Sequence, residues 1–166
     1  MNNRINEILN NPWITIESTY EHIAALKLTI PRQPGLYSIS TNASKEILRQ
    51  FGPRNDRKHY NLMDKINTSE LIPNTFTINQ NAPNELYCVY NGHHQNLSQR
   101  FSEHFLGSRG TGCLALFEIE RLRDFNWTFQ YLNLGNIENY SDSKIFRTLL
   151  EQQLRVNSGW PILCSQ

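Results

Sequence analysis

Residues able to do chemistry crowd the stretch ELYCVYNGHHQNLSQRFSEHF, from Glu85 to Phe105. It holds Tyr87, Tyr90, Arg100 and the histidines His93, His94 and His104. Three kinds of chemistry suit such a set: metal binding, a cationic helix face, or half of an active site completed elsewhere. His93 and His94 are adjacent, so their side chains diverge. With His104 they make no zinc spacing of the H-E-x-x-H kind. Arg100 and His104 stand four apart and share one helix face. They lie beside the stripe of Leu97, Phe101 and Phe105, which places them at the margin of the buried surface, held rigidly yet within reach of solvent. Taken alone, an ordinary boundary pair accounts for them.

The elements that must position these residues can be read from pattern. Asn3 to Asn10 is expected as a short helix and Thr15 to Leu26 (TIESTYEHIAAL) as a second. The Pro31 to Gly35 segment breaks the chain, and Leu36 to Ser40 (LYSIS) reads as a strand. Glu85 to Tyr90 is a second strand, with Asn91-Gly92 as its turn and Asn96 to Phe105 as the following amphipathic helix. The loop Gly107 to Gly112 lacks the Lys-Ser/Thr ending of a phosphate-binding P-loop. Leu114 to Arg123 is expected to be helical, and Asn126 to Leu134 (NWTFQYLNL) alternates as a half-buried strand. Ser141 to Ser143 supplies an N-cap for a helix through Val156, which Gly159 and Pro161 end.

A chain of 166 residues with 39% hydrophobic content can bury one sizeable core, so a single domain over 1–166 is expected. The formal charge of +1 announces no polyanionic partner by itself. Cys88, Cys113 and Cys164 are odd in number and widely spaced, against a disulfide framework or a zinc cluster. The opening MNNRINEILNNPW has no apolar run of a secretory leader, and no stretch nears the roughly 18 apolar residues of a membrane span. The expectation is a cytoplasmic protein with no membrane partner.

The segment 42–84 is polar and irregular, with a helix expected over Ser44 to Phe51. Lys45, Arg49, Arg54, Arg57, Lys58 and Lys65 outnumber Glu46, Asp56 and Asp64 there. It is either a solvated excursion or a basic surface that meets phosphates.

Adding the first strand changes the weight of the Arg100–His104 pair. Gly35-Leu36-Tyr37 opens one strand and Tyr90-Asn91-Gly92 closes another; Arg100 follows ten residues after Tyr90, and His104 four later. This ordered set, from about Pro34 onward, resembles the GIY-YIG nuclease family, whose pattern is G-I-Y, then Y-I-G, then a helix bearing arginine and often histidine. The family's metal-binding glutamate sits on a later helix after a third strand, the place that Glu151 holds in KIFRTLLEQQLR. There are departures. Roughly fifty residues separate Tyr37 from Tyr90, a spacing that leans toward the family's restriction enzymes with long insertions. Asn91 replaces the usual isoleucine, and Cys164 falls near the position of a customary C-terminal asparagine, while Asn157 comes too early for it. Read without the resemblance, Arg147, Glu151 and Arg155 form a solvated salt-bridge row.

The resemblance implies a small α+β fold: a three-stranded, mainly antiparallel sheet flanked by helices, with an N-terminal helical extension (1–33) and the 42–84 insertion. It implies a Mg²⁺- or Mn²⁺-dependent endonuclease acting on double-stranded DNA, one ion per site held by Glu151. Tyr37 would be the general base, Tyr90 and Arg100 would contact the phosphate or the water, and His104 would orient Tyr37 or relay its proton. Arg54, Arg57, Lys58, Lys45, Arg49 and Arg109 would meet nucleic acid. A site-specific type II restriction enzyme, paired as a homodimer for double-strand cutting, is the leading expectation. A repair, phage-defence or toxin nuclease of little specificity, or a non-catalytic DNA-binding module on this fold, are the alternatives.

Overall fold

The computed structural model describes residues 2–53, 61–108 and 111–164. Four strands, β1 (Ile14–Glu17), β2 (Gly35–Thr41), β3 (Tyr87–His94) and β4 (Trp127–Asn133), form one antiparallel sheet in the order β1-β4-β2-β3. Among the described residues six α-helices flank it: α1 (Asn2–Leu9), α2 (Ile23–Thr29), α3 (Lys45–Arg49), α4 (Leu62–Ser69), α5 (Leu97–Leu106) and α6 (Lys144–Ser158). The fold is therefore α+β.

Strand alternation divides the core in two. Tyr37 and Ile39 of β2 point to one face with Phe129 and Tyr131 of β4, where Leu97, Phe101 and Phe105 of α5 cover them. Leu36 points to the other face, with Leu132, Leu134 and Leu150 and with Ile5, Ile8 and Leu9 of α1. Central β2 is thus buried on both sides, while β3 forms one edge of the sheet. Asn96 caps α5 by accepting from the Gln99 N–H at 3.0 Å, and Ser143 does the same for Phe146 N–H of α6 at 3.1 Å.

The structure corrects several sequence expectations. The sheet has four strands, not three, because the N-terminal extension is not all helical. Ile14 to Glu17 pairs with β4, Ile16 opposite Phe129. The spacing of Ile16, Tyr20 and Ile23 imitates a helix, but the β-branched Ile14-Thr15-Ile16 finds a vacant strand edge, and α2 starts only at Ile23. Asn91-Gly92 is no turn. Both lie within β3, opposite Ser38 and Tyr37, and neither has the positive φ a tight hairpin needs. Leu114 to Arg123 forms two short 3₁₀ turns, Leu116–Glu118 and Glu120–Asp124, after Ala115 in the left-handed region at φ 47°.

The described part of the insertion is no solvated excursion. Leu48, Leu62 and Ile66 are fully buried in the cluster that contains Tyr37 and Phe101. Its end is stitched to the C-terminal segment: Ile78 N–H donates to Trp160 O at 2.8 Å, and Trp160 N–H to Phe76 O at 2.6 Å.

Gly35, at the start of β2, fixes how closely α5 docks. A Cβ there would lie 2.5 Å from both the Leu132 carbonyl oxygen and a Leu97 methyl. Gly35→Ala is expected to lower stability by about 1–3 kcal/mol through overpacking, read as a shift in the urea midpoint. An unchanged midpoint would mean that α5 can retreat freely.

Candidate active site

Three side chains from β2 and α5 meet at one oxygen. The Tyr37 hydroxyl lies 2.9 Å from His104 Nε2 and accepts from Arg100 Nε at 3.1 Å. The strand register brings this about. Tyr37 stands opposite Gly92 and Ile39 opposite Tyr90, so the two tyrosines share a face as diagonal neighbours, rings 6.2 Å apart and near-parallel. Gly92 is required because a Cβ there would lie 2.5 Å from the Tyr37 hydroxyl. Arg100 and His104, one turn apart on α5, then reach the same atom.

Burial sets the electrostatics. His104 is 0% exposed, not at a solvent-reaching margin as its spacing suggested. The α5 stripe is wide enough to take it in, beside the rings of Tyr37 at 5.3 Å and Tyr90 at 4.7 Å. Burial, with help from Arg100, Lys65 and His94, holds its imidazole well below the ordinary range, so it is neutral. Its Nδ1 is buried without a hydrogen-bond partner. A proton placed there would be an orphaned donor, so the proton is assigned to Nε2, donating to Tyr37. The Tyr37 oxygen thus accepts two N–H bonds, and its own O–H is left to donate outward. Burial, then Tyr90, raises the Tyr37 phenol well above its usual range, and Arg100 opposes this. Tyr90 is raised too, by burial first. Burial acts against the Arg100 charge, but Tyr37, Tyr90 and Glu103 outweigh it and hold the guanidinium more firmly charged. Arg100 also donates to Glu103 Oε2 at 2.9 Å and to Gly112 O at 2.8 Å. Among the described residues its guanidinium thus reaches Tyr37, Glu103 and Gly112, and it also acts on the Tyr90 hydroxyl.

Glu151 comes from α6, on the opposite face, and reaches the free edge of β3. It acts electrostatically on Tyr37, Tyr90 and Arg100, so it borders the same cluster. It is not part of a solvated row. Its side chain is 13% exposed and pairs with Arg155 at 2.5 Å, while Arg147 pairs with Asp142 instead. His93 Nε2 lies 3.7 Å from its other oxygen. Burial raises its pKa, and Arg155 and the His93 amide pull it back. A buried charged pair is costly, and its position at a cluster of shifted groups marks a functional-site candidate. Among the described residues no group of three or more His, Cys, Asp or Glu could hold a metal. A single carboxylate with one oxygen free of Arg155 suits a Mg²⁺ that keeps its waters, and does not suit zinc.

The expected nucleic-acid contacts fare differently. Lys45 and Arg49 both bind Glu70, a residue just past the stretch whose charges suggested a basic surface. Arg54, Arg57, Lys58 and Arg109 lie outside the described residues. Sequence reasoning missed Lys65 as a site residue. Its charge acts on His104, Arg100 and Cys164, and the one available signal was its place between Leu62 and Ile66 on α4. Cys164, near the position of the family's asparagine, packs on β3 and accepts from Asn91 N–H at 3.4 Å.

No family model, no curated protein and no solved structure matches the chain.

The buried histidines tie stability to pH. His104 lies well below its unfolded value and His93 is lowered to about 4, mainly by burial. In both, the unfolded chain takes up a proton first, near pH ~6.5. Their contribution is therefore complete above pH ~6.5 and is lost as the pH falls below it. The urea midpoint should drop between pH 7.5 and 5.5, and His104→Gln should flatten that drop. A profile that His104→Gln leaves unchanged would mean that His104 is already charged in the folded protein.

Proposed function

We propose that this chain is a divalent-metal-dependent endonuclease of the GIY-YIG type, hydrolysing phosphodiester bonds of double-stranded DNA, and of the family's restriction-enzyme branch. The observation that carries the reading is the meeting of Tyr37, Arg100 and His104 at one buried oxygen, with Tyr90 stacked beside it and Glu151 at its edge. That five residues scattered over the sequence lie together supports the reading.

Hydrolysis needs a deprotonated water, a stabilised charge on the phosphorus oxygens and a neutralised leaving oxygen. Tyr37 is the base. At rest it is a neutral phenol, so it acts as base only after its O–H proton has left to solvent. The two N–H groups it faces are placed to hold the negative charge on its oxygen, and that phenolate then takes the proton of the attacking water. His104 orients this oxygen and does not take the proton. An imidazolium there would be buried beside Arg100 and Lys65. Arg100 offers its planar guanidinium to the phosphate. Glu151 would hold Mg²⁺ or Mn²⁺, and such an ion supplies positive charge for the leaving oxygen. Pairing of two copies on DNA would cut both strands.

A nuclease of little sequence specificity is the second reading. It is favoured by the engagement of Lys45 and Arg49 with Glu70, which removes two cations from the insertion's supply for DNA.

A plasmid digest with Mg²⁺, mapped by product size, tests both. Discrete fragments are expected; a smear would select the second reading, and no cutting would remove both. Glu151→Gln should abolish cutting while leaving DNA binding largely intact. Arg100→Lys, which keeps charge but loses the planar fork, should slow it by about a hundredfold or more. Cutting by Glu151→Gln at the wild-type rate would remove its assignment to the site.

A further inference from the structure

Lys65 stands on α4, one residue before Ile66 and three after Leu62, both fully buried in the cluster that holds Tyr37, Phe101 and Phe105. Its stem therefore shares the side of α4 that faces the candidate site. Asn61 caps α4, accepting from the Asp64 N–H at 3.0 Å, and fixes where the helix begins.

Among the described residues the arginines around the site are paired. Arg100 has Glu103, Arg155 has Glu151 and Arg147 has Asp142. Tyr37, Tyr90 and His104 are neutral at pH 7. The Lys65 side chain makes no ion pair or hydrogen bond among the described residues, although it is half-buried. Burial lowers its pKa most; Cys164 opposes this, Arg100 adds to it, and Asp64 opposes it in turn. Two cations so placed repel each other, and among the described residues no carboxylate forms an ion pair with Lys65. A phosphodiester entering there would relieve both. The plainer role is a snorkelling side chain that only covers Leu62 and Ile66.

Resting on the nuclease reading above, we propose that Lys65 is a second cationic ligand of the reacting phosphate. Arg100 and Lys65 grip it from α5 and α4, so the insertion contributes to the catalytic site and not only to DNA recognition. This also explains why the insertion is rooted in the core by Leu48, Leu62 and Ile66, as a part that carries an active-site cation must be held rigidly.

The test compares wild type, Lys65→Met, which keeps the apolar stem, and Lys65→Arg, which keeps the charge. Single-turnover plasmid cleavage is measured with Mg²⁺, and affinity for a short duplex is measured against salt with Ca²⁺ in its place. Lys65→Met should cut at least about tenfold more slowly, and its log-affinity slope against log salt should be shallower by about one. Lys65→Arg should recover most of both. A folded Lys65→Met that cuts within about twofold of wild type, with the same slope, overturns the proposal and leaves the nuclease reading standing. Slower cutting with an unchanged slope and no recovery in Lys65→Arg also overturns it, as a packing effect. A wild type that binds duplex without cutting, and whose slope Lys65→Met flattens, supports the phosphate site and sinks the nuclease reading. A wild type that neither binds nor cuts overturns both.

Discussion

The close approach of Tyr37 to Gly92 is the constraint on which the site depends. The Tyr37 hydroxyl occupies the space that a side chain at position 92 would fill. That leaves its oxygen under α5, where Arg100 and His104 can both reach it. Gly35 performs the matching service two residues earlier by letting Leu97 approach the sheet. Both glycines act through close approach and not through unusual backbone angles, since neither has a positive φ. The sheet register, the docking of α5 and the hydrogen bonds at Tyr37 therefore stand or fall together.

Much of this was legible in the sequence. The Leu97, Phe101 and Phe105 stripe gave α5, and the alternation of NWTFQYLNL gave β4. The order of tyrosines, arginine, histidine and glutamate pointed to residues that the fold brings side by side. What was not legible depended on tertiary partners. Nothing local says that Ile14-Thr15-Ile16 will pair with β4, or that Asn-Gly will lie inside a strand. The pattern placed His104 at a margin, whereas the rings of Tyr37 and Tyr90 enclose it. The excess of cations in the insertion looked available for DNA until Glu70, within the same segment, bound two of them.

Charge follows the same logic of placement. The pair of Glu151 with Arg155 and that of Arg100 with Glu103 are largely removed from solvent. Buried pairs are weak sources of stability and are expensive to break, so their gathering at one sheet edge is poorly explained by folding alone. It is well explained by a site that must hold a polyanion and a divalent ion in a fixed relation. Arg155 is itself fixed by Asn91 Oδ1 at 2.8 Å, which gives the departure from isoleucine at that position a structural role.

The central claim is that the Tyr37 oxygen takes part in the reaction and is not merely a buried polar group. Tyr37→Phe removes that single atom and keeps the ring that packs on Phe129. The decisive measurement is single-turnover cleavage of plasmid DNA by Tyr37→Phe, alongside its thermal midpoint and duplex affinity. The account predicts a folded protein that binds DNA like wild type and cuts it at least about a hundredfold more slowly, the scale of a lost general base. Cleavage by folded Tyr37→Phe at the wild-type rate would contradict it.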